Sequence, residues 1–331
     1  MSGRRVLITG VSTRLGTELA RRLERDPSVE YVAGLDVRPP RARLDRTDFI
    51  DADIRSPVIG KLIPQCEVDT VVHNQIVRQP GGGIAARAMH DINVIGTLQL
   101  LAACEQTPTI KAVVVRGSAG IYGAEPASPQ FYTEEMARLY PLRTRFQRDI
   151  GEIENYFEGY SRRHPEVICT MLRYQPSLGP GTDSQVTRYL NAPVVPTYLG
   201  FDPRLQFVHE SDGLDALLAA IRTPVRGAVN VAAPGTIGLT KMLRLAGKVS
   251  VPIPAPAFDV GLNAGQQIGM PRISPDFRRL LRFGRAVDIT RLVEEVGYLP
   301  RFSATEAVED YASHQGGRRV IPSIRHLAVN L

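Results

Sequence analysis

Arg5-Val6-Leu7-Ile8-Thr9-Gly10-Val11-Ser12-Thr13-Arg14-Leu15-Gly16 decides how the rest of this chain is read. Residues 5–9 are a short apolar run of the kind that forms a parallel strand buried on both faces. Leu15, Leu19 and Leu23 then recur at helical spacing, with arginine and glutamate between them. A glycine turn leading from a strand into a helix lets the backbone approach a pyrophosphate, whose charge rests on the helix N-terminus. Gly10, Ser12, Thr13, Arg14, Leu15 and Gly16 are therefore candidate dinucleotide-binding residues. Thr13 stands where a middle glycine would be expected.

Asp36, at the end of a second strand-like run, is placed to accept both hydroxyls of an adenosine ribose. Arg38 and Arg14 offer the opposite chemistry, because a guanidinium pairs with a 2′-phosphate. Asp36 favours NAD and the two arginines favour NADP, so both cofactors stay open, with NADPH set first. Asp53-Ile54 falls where a later strand end can cap the adenine.

Outward from this motif, strand-like and helix-like runs alternate. Tyr31 to Asp36, Thr70 to His73 and Ala112 to Val115 read as strands, and Asn93 to Cys104 as an Ala/Leu-rich helix. This alternation predicts an α/β fold, a doubly wound parallel sheet of the Rossmann type. After about residue 180, Pro193, Pro196 and Pro203 punctuate a looped stretch, and Val251-Pro-Ile-Pro-Ala-Pro-Ala257 reads as a connector. The expectation is a dinucleotide-binding domain over 1–180 and a smaller C-terminal substrate-binding lobe over 181–331, interleaved with it.

Composition narrows the class. The 331 residues are 43% hydrophobic and 22% charged, enough to bury a large core. The net charge is +6, yet the arginines scatter and form no aromatic-interleaved basic run, so no nucleic-acid partner is expected. Cys66, Cys104 and Cys169 are odd in number and lack metal-ligand spacing, which predicts reduced structural thiols and no metal. Met1 to Arg5 leads straight into a strand without an apolar leader, and no apolar run is long enough to span a membrane. A cytoplasmic protein without membrane association is expected.

Thr9 to Gly16, Asp36, Asp53-Ile54, Val71-Val72-His73, Asn93-Val-Ile-Gly-Thr97, Ser118-Ala-Gly-Ile-Tyr-Gly123, Leu172-Arg173-Tyr174, Gly179-Pro180 and Phe207-Val208-His209-Glu210 occur in this order. The ordered set resembles an extended short-chain dehydrogenase/reductase of the NAD-dependent epimerase/dehydratase group, over about residues 4 to 310. In that family the working residues are an asparagine, a serine or threonine, and a Tyr-x-x-x-Lys pair. The resemblance carries the asparagine onto Asn93 and the serine onto Ser118, and places Tyr174 beside the cofactor. With Glu154 as anchor, Phe146 falls at the tyrosine and Ile150 at the lysine. Neither side chain can exchange a proton, so the family's acid–base pair is absent. His73-Asn74-Gln75 and Tyr174-Gln175-Pro176 depart from the family pattern as well. His73 is expected to be structural, and Tyr122 to shape the pocket.

Reversible epimerisation needs a proton acceptor that is missing, whereas one-way ketone reduction asks less. The chain also resembles atypical actinobacterial reductases that lack the Tyr–Lys pair. That resemblance implies a ketoreductase acting on an aromatic, angucyclinone-type polyketide in antibiotic biosynthesis, with Ser118 as the catalytic hydrogen-bond donor. An aromatic-ketone site should be wide and apolar, with Val251 to Ala257, Phe258 and a lid at Met270 to Phe277 around it. A sugar-nucleotide site should instead supply polar and basic groups. A cofactor-binding sensor or scaffold without turnover, and an epimerase or dehydratase with displaced catalytic groups, are the alternatives. Relatives often dimerise, which points to a homodimer through the helix at Arg145 to Arg162.

Overall fold

The computed structural model describes residues 3–78, 86–192, 194–258, 260–262 and 272–315. Six strands run through the first half: β1 (Arg4–Thr9), β2 (Val29–Asp36), β3 (Thr47–Asp51), β4 (Thr70–His73), β5 (Ala112–Ser118) and β6 (Ile168–Tyr174). Further along come β7 (Ser177–Leu178), β8 (Val195–Tyr198), β9 (Arg204–Leu205), β10 (Val208–His209), β11 (Gly227–Val231), β12 (Ile237–Gly238) and β13 (Ser250–Ile253). A seven-stranded sheet runs in the order β11-β6-β5-β4-β1-β2-β3, and all its pairings are parallel. The chain reverses direction of winding between β1 and β4, where Thr9 lies beside His73. In doubly wound sheets, the crevice outside the strand ends at this reversal is where ligands bind.

The apolar run of β1 is explained by burial on two faces. Leu7 joins one core with Val71, Val113, Val115, Ile150 and Phe157. Val6 and Ile8, one residue to either side, join the other with Val72, Val114, Leu172 and Val229. Side chains alternate along a strand, so a continuous apolar stretch feeds both layers. The helix Arg14–Glu24 covers the second face through Leu19, Ala20 and Leu23, while Leu15 is only half-buried.

A third core, including Leu178, Tyr189, Phe207, Met242, Phe258, Phe277 and Tyr311, forms the smaller lobe. The helix Glu210–Arg222 and β11 return to the main sheet, as does Leu292.

Three expectations are corrected. Pro196 lies within β8, which pairs with β13, so the stretch from Val251 to Ile253 is strand and not connector. Pro193 lies outside the described residues. A regular helix begins at Gly96, preceded by a π-helical turn at Asp91–Ile95 that holds Asn93. Phe258 is buried against Tyr198, ring centroids 3.6 Å apart, and so belongs to the outer lobe's core instead of a substrate wall.

Candidate active site and dinucleotide crevice

The glycine turn has the geometry a pyrophosphate needs. Gly10 has φ +70°, in the left-handed region, and a Cβ at Gly16 would lie 2.2 Å from the Gly10 carbonyl oxygen. Thr13 caps the following helix: its hydroxyl accepts the Gly16 N–H at 3.0 Å and donates to the Gly10 carbonyl at 2.8 Å. The threonine that replaces a glycine thus rigidifies the turn. Arg14 and Leu15, the first helical residues, have N–H groups that the helix itself cannot satisfy, which leaves donors for an anion.

Asp36 ends β2 with one carboxylate oxygen accepting the Ser12 N–H at 3.2 Å and the other the Val37 N–H at 2.8 Å. The Ser12 hydroxyl donates to the Arg38 carbonyl, which ties the glycine turn to the segment after β2. Arg14 does not reach this end. Its guanidinium forms a two-bond pair with Glu210, at 3.0 and 3.2 Å, and Glu210 also accepts from Thr182 at 2.7 Å. Asp53 is held by Arg55, whose hydrogen bond lowers the carboxyl's pKa, and the Ile54 side chain is fully buried in the core. Only the backbone of that pair is left to meet an adenine.

At the other end of the crevice the strand tips of β4, β5 and β6 converge. His73 is buried between Thr9 and Thr97, at 2.8 and 2.9 Å, and burial pushes its pKa down to about 4, so the ring is neutral and structural. The Asn74 amide donates to Thr13 at 3.0 Å, which links the glycine turn to the strand tips. Asn93 uses both ends of its amide on Val77, accepting its N–H at 2.7 Å and donating to its carbonyl at 2.9 Å. It clamps the loop after β4. The Tyr174 hydroxyl donates to the Gly213 carbonyl at 2.7 Å, and its ring lies beneath the Arg116 guanidinium.

Ser118 ends β5, and its Oγ accepts the Gly120 N–H at 3.1 Å. It lines a cavity of about 190 Å³ together with Arg78, Arg116, Phe146, Phe277 and Arg285. Phe146 therefore stands beside Ser118, where the resemblance places a tyrosine, and Ile150 is wholly inside the core. Tyr122 does not line this cavity. Its hydroxyl donates to Asn230 at 2.7 Å and accepts from Arg173 at 3.0 Å, and burial raises its pKa to about 12. Glu154 makes a buried two-bond pair with Arg173, at 2.9 and 2.8 Å, behind the site. Asp149 turns to His90 at 2.8 Å. Of the lid segment, Met270 and Pro271 lie outside the described residues, and Ser274, Asp276 and Phe277 line the cavity.

Sequence reasoning missed Arg78, Arg116 and Arg285. Arg116 had a signal, since a charge interrupts the apolar run Val113-Val114-Val115 at the exit of a central strand. Arg78 and Arg285 had none, because only the fold brings their distant segments together.

The turn, the carboxylate at the end of β2 and the crevice at the winding reversal define a dinucleotide-binding protein of the doubly wound class. The model of the NAD dependent epimerase/dehydratase family matches residues 6–232, and the chain belongs to that family. An uncharacterised protein of Mycobacterium tuberculosis is 35% identical over 317 residues, 94% of this chain and 84% of its own length. An uncharacterised protein of Sinorhizobium fredii is 25% identical, covering 94% of this chain and 79% of its own. Among solved structures, a dTDP-glucose 4,6-dehydratase of Bacillus anthracis in complex with NAD superposes with a TM-score of 0.69 at 15% identity. That match covers 96% of this chain and 98% of that one. A UDP-glucuronic acid 4-epimerase of Bacillus cereus with NAD gives 0.69 at 16% identity, over 95% and 99% of the two chains. At such identities the structures share the fold. Among the described residues no helix is long and apolar enough to cross a membrane, and no cluster of side chains is arranged to hold a metal ion.

Proposed function

We propose that this protein is a nicotinamide-dependent ketoreductase that works without a Tyr–Lys pair. The observation that carries this is Ser118 at the tip of β5, lining one cavity with Arg116 and with Phe146 in the tyrosine's place. Gly10, Ser12, Thr13, Arg14, Leu15 and Gly16 would hold the pyrophosphate through backbone donors, and Asp36 the adenosine ribose. Asp53, Ile54, Asn93 and Tyr174 would support the two ends, Asn93 by fixing the loop after β4 and Tyr174 by backing Arg116. The bound cofactor supplies the hydride.

Ser118 Oγ accepts the Gly120 N–H, so its own proton is free to be donated to a ketone oxygen. The positive field of the arginines that line the cavity favours the negative charge that grows on that oxygen. The carbonyl carbon gains the hydride and the oxygen takes a proton from water or from a hydroxyl of the substrate. Phe146, Phe277, Val186 and Leu280 give the cavity an apolar wall that an aromatic polyketide ketone can pack against, while Arg78, Arg116 and Arg285 supply the basic groups expected of the sugar-nucleotide alternative. Asp36 lies where a 2′-phosphate would be repelled and Arg14 is engaged by Glu210, which favours NADH, whereas Arg38, two residues beyond Asp36, favours NADPH, the donor set first from the sequence. A homodimer through the helix Arg145–Arg163 is part of the same proposal.

The test is NADH oxidation with a panel of aromatic polyketide ketones, followed by absorbance and product mass. A gain of two hydrogens that slows by about 10²-fold or more in Ser118→Ala supports the reading. Tight NADH binding with no turnover on any ketone would overturn it in favour of a non-catalytic cofactor-binding protein.

A further inference from the structure

We propose that Arg78, Arg116 and Arg285 form an oxyanion-binding floor in the cavity beside Ser118, and that the substrate carries a carboxylate or phosphate that docks there. The proposal rests on the ketoreductase reading only for the word substrate; the anion site stands on its own geometry.

The three guanidinium groups come from the loop after β4, from β5 and from the stretch before residue 290, and all line the same cavity. Their contacts with the protein are to neutral groups. Arg78 donates to the Gly117 carbonyl at 2.9 Å and Arg116 to the Asn74 side-chain oxygen at 3.5 Å. Arg285 donates to the Gln175 side-chain oxygen at 3.2 Å and the Gly123 carbonyl at 3.1 Å. Among the described residues, none of the three has a carboxylate within ion-pair distance. Buried charge without a counter-charge is costly, so proteins pair it or bring a ligand to it.

Two further observations point to the missing partner. The Nε atoms of Arg78 and Arg116 are buried without any hydrogen-bond acceptor. Asp183 is paired with Arg188 at 2.6 and 2.7 Å, and Asp276, which accepts from Thr144 at 2.6 Å, offers its charge to Arg285 from beyond ion-pair distance, so Arg78 and Arg116 are the members of the trio that no carboxylate compensates. Burial lowers the pKa of Arg78 to about 9 and of Arg285 to about 10, with mutual repulsion contributing at Arg78. An anion bound among them would reverse that strain. Guanidinium groups recognise planar carboxylates and phosphates through paired N–H donors, which a neutral ketone alone cannot use.

The cofactor's own pyrophosphate is the competing source of negative charge, and titration separates the two. Oxalate and inorganic phosphate are titrated into the full-length protein by calorimetry, alone and with saturating NADH. The expected result is binding of at least one anion that persists with NADH present and weakens roughly tenfold or more in Arg116→Gln and in Arg285→Gln. Arg163→Gln, whose side chain pairs with Glu105 away from the cavity, should bind as the parent does. Competition between anion and NADH would assign the floor to the cofactor and overturn the proposal, as would no binding of either anion to the folded parent protein. The parent titrations decide the matter even if a variant fails to fold. Failure of NADH oxidation on every ketone would touch only the ketoreductase reading, because anion binding requires no turnover.

Discussion

Replacing Asp36, at the end of β2, by asparagine should weaken NADH binding by more than about tenfold. A carboxylate offers about four acceptor sites, and two are used by the Ser12 and Val37 N–H groups. About two remain for the ribose hydroxyls. A hydrogen bond to a charged group is worth about 1.5–3 kcal/mol and a neutral one about 0.5–1.5 kcal/mol. Converting two bonds from the first kind to the second removes about 2–3 kcal/mol, or roughly 30- to 150-fold in Kd. The same substitution removes the charge that opposes a 2′-phosphate, so the ratio of NADPH to NADH dissociation constants should narrow. Calorimetric titration of both cofactors into parent and Asp36→Asn reads both effects. A change of less than about threefold for NADH, or an equal loss for the two cofactors, would refute the placement of the ribose at Asp36.

Other perturbations test other parts of the structure. Gly16→Ala drives a Cβ to 2.2 Å from the Gly10 oxygen, so the helix start must shift; a stability loss of about 1–3 kcal/mol in urea, with weakened NADH binding, is expected. Glu154→Gln leaves the buried Arg173 charge uncompensated and should cost about 3–5 kcal/mol in denaturant unfolding while leaving the NADH Kd unchanged. His73 supplies a pH dependence. The unfolded imidazole takes a proton near 6.5, whereas the folded one resists until about 4. The unfolded state therefore binds more protons in that window, and stability falls as pH drops from about 6.5 to about 4, then levels off. The total is about 3 kcal/mol. His73→Asn should show a shallower decline between pH 7 and 4 than the parent, and parallel curves would exclude the assignment.

The parts of the fold legible in the sequence are those where one local rule acts alone. Thr70–His73 is a strand with the bounds read from its apolar run, because both its faces are buried and nothing competes with the pattern. The turn from Gly10 to Gly16 is legible because close approach leaves no choice of residue. Pro196 and Pro252 misled because proline usually argues against a strand, yet they sit in a two-stranded ladder where each strand has an open edge. Asn93 was read as part of the working site, and the structure uses its amide to hold Val77, a contact made across a loop by a π-helical turn. The missing Tyr–Lys pair could be read residue by residue from Phe146 and Ile150. What the site has instead could not, because Arg78 and Arg285 converge with Arg116 only through the winding of the sheet.

The positions of Phe146 and Ile150 also bear on reversibility in evolution. Phe146 borders the cavity, so a change to tyrosine adds one hydroxyl to a side chain that already lines it. Ile150 is 0% exposed among residues such as Ile153 and Phe157, where a lysine would have to lose its charge or disrupt the packing. One substitution can therefore place a phenol at the cavity, but an ammonium to activate it requires rebuilding the layer around the helix.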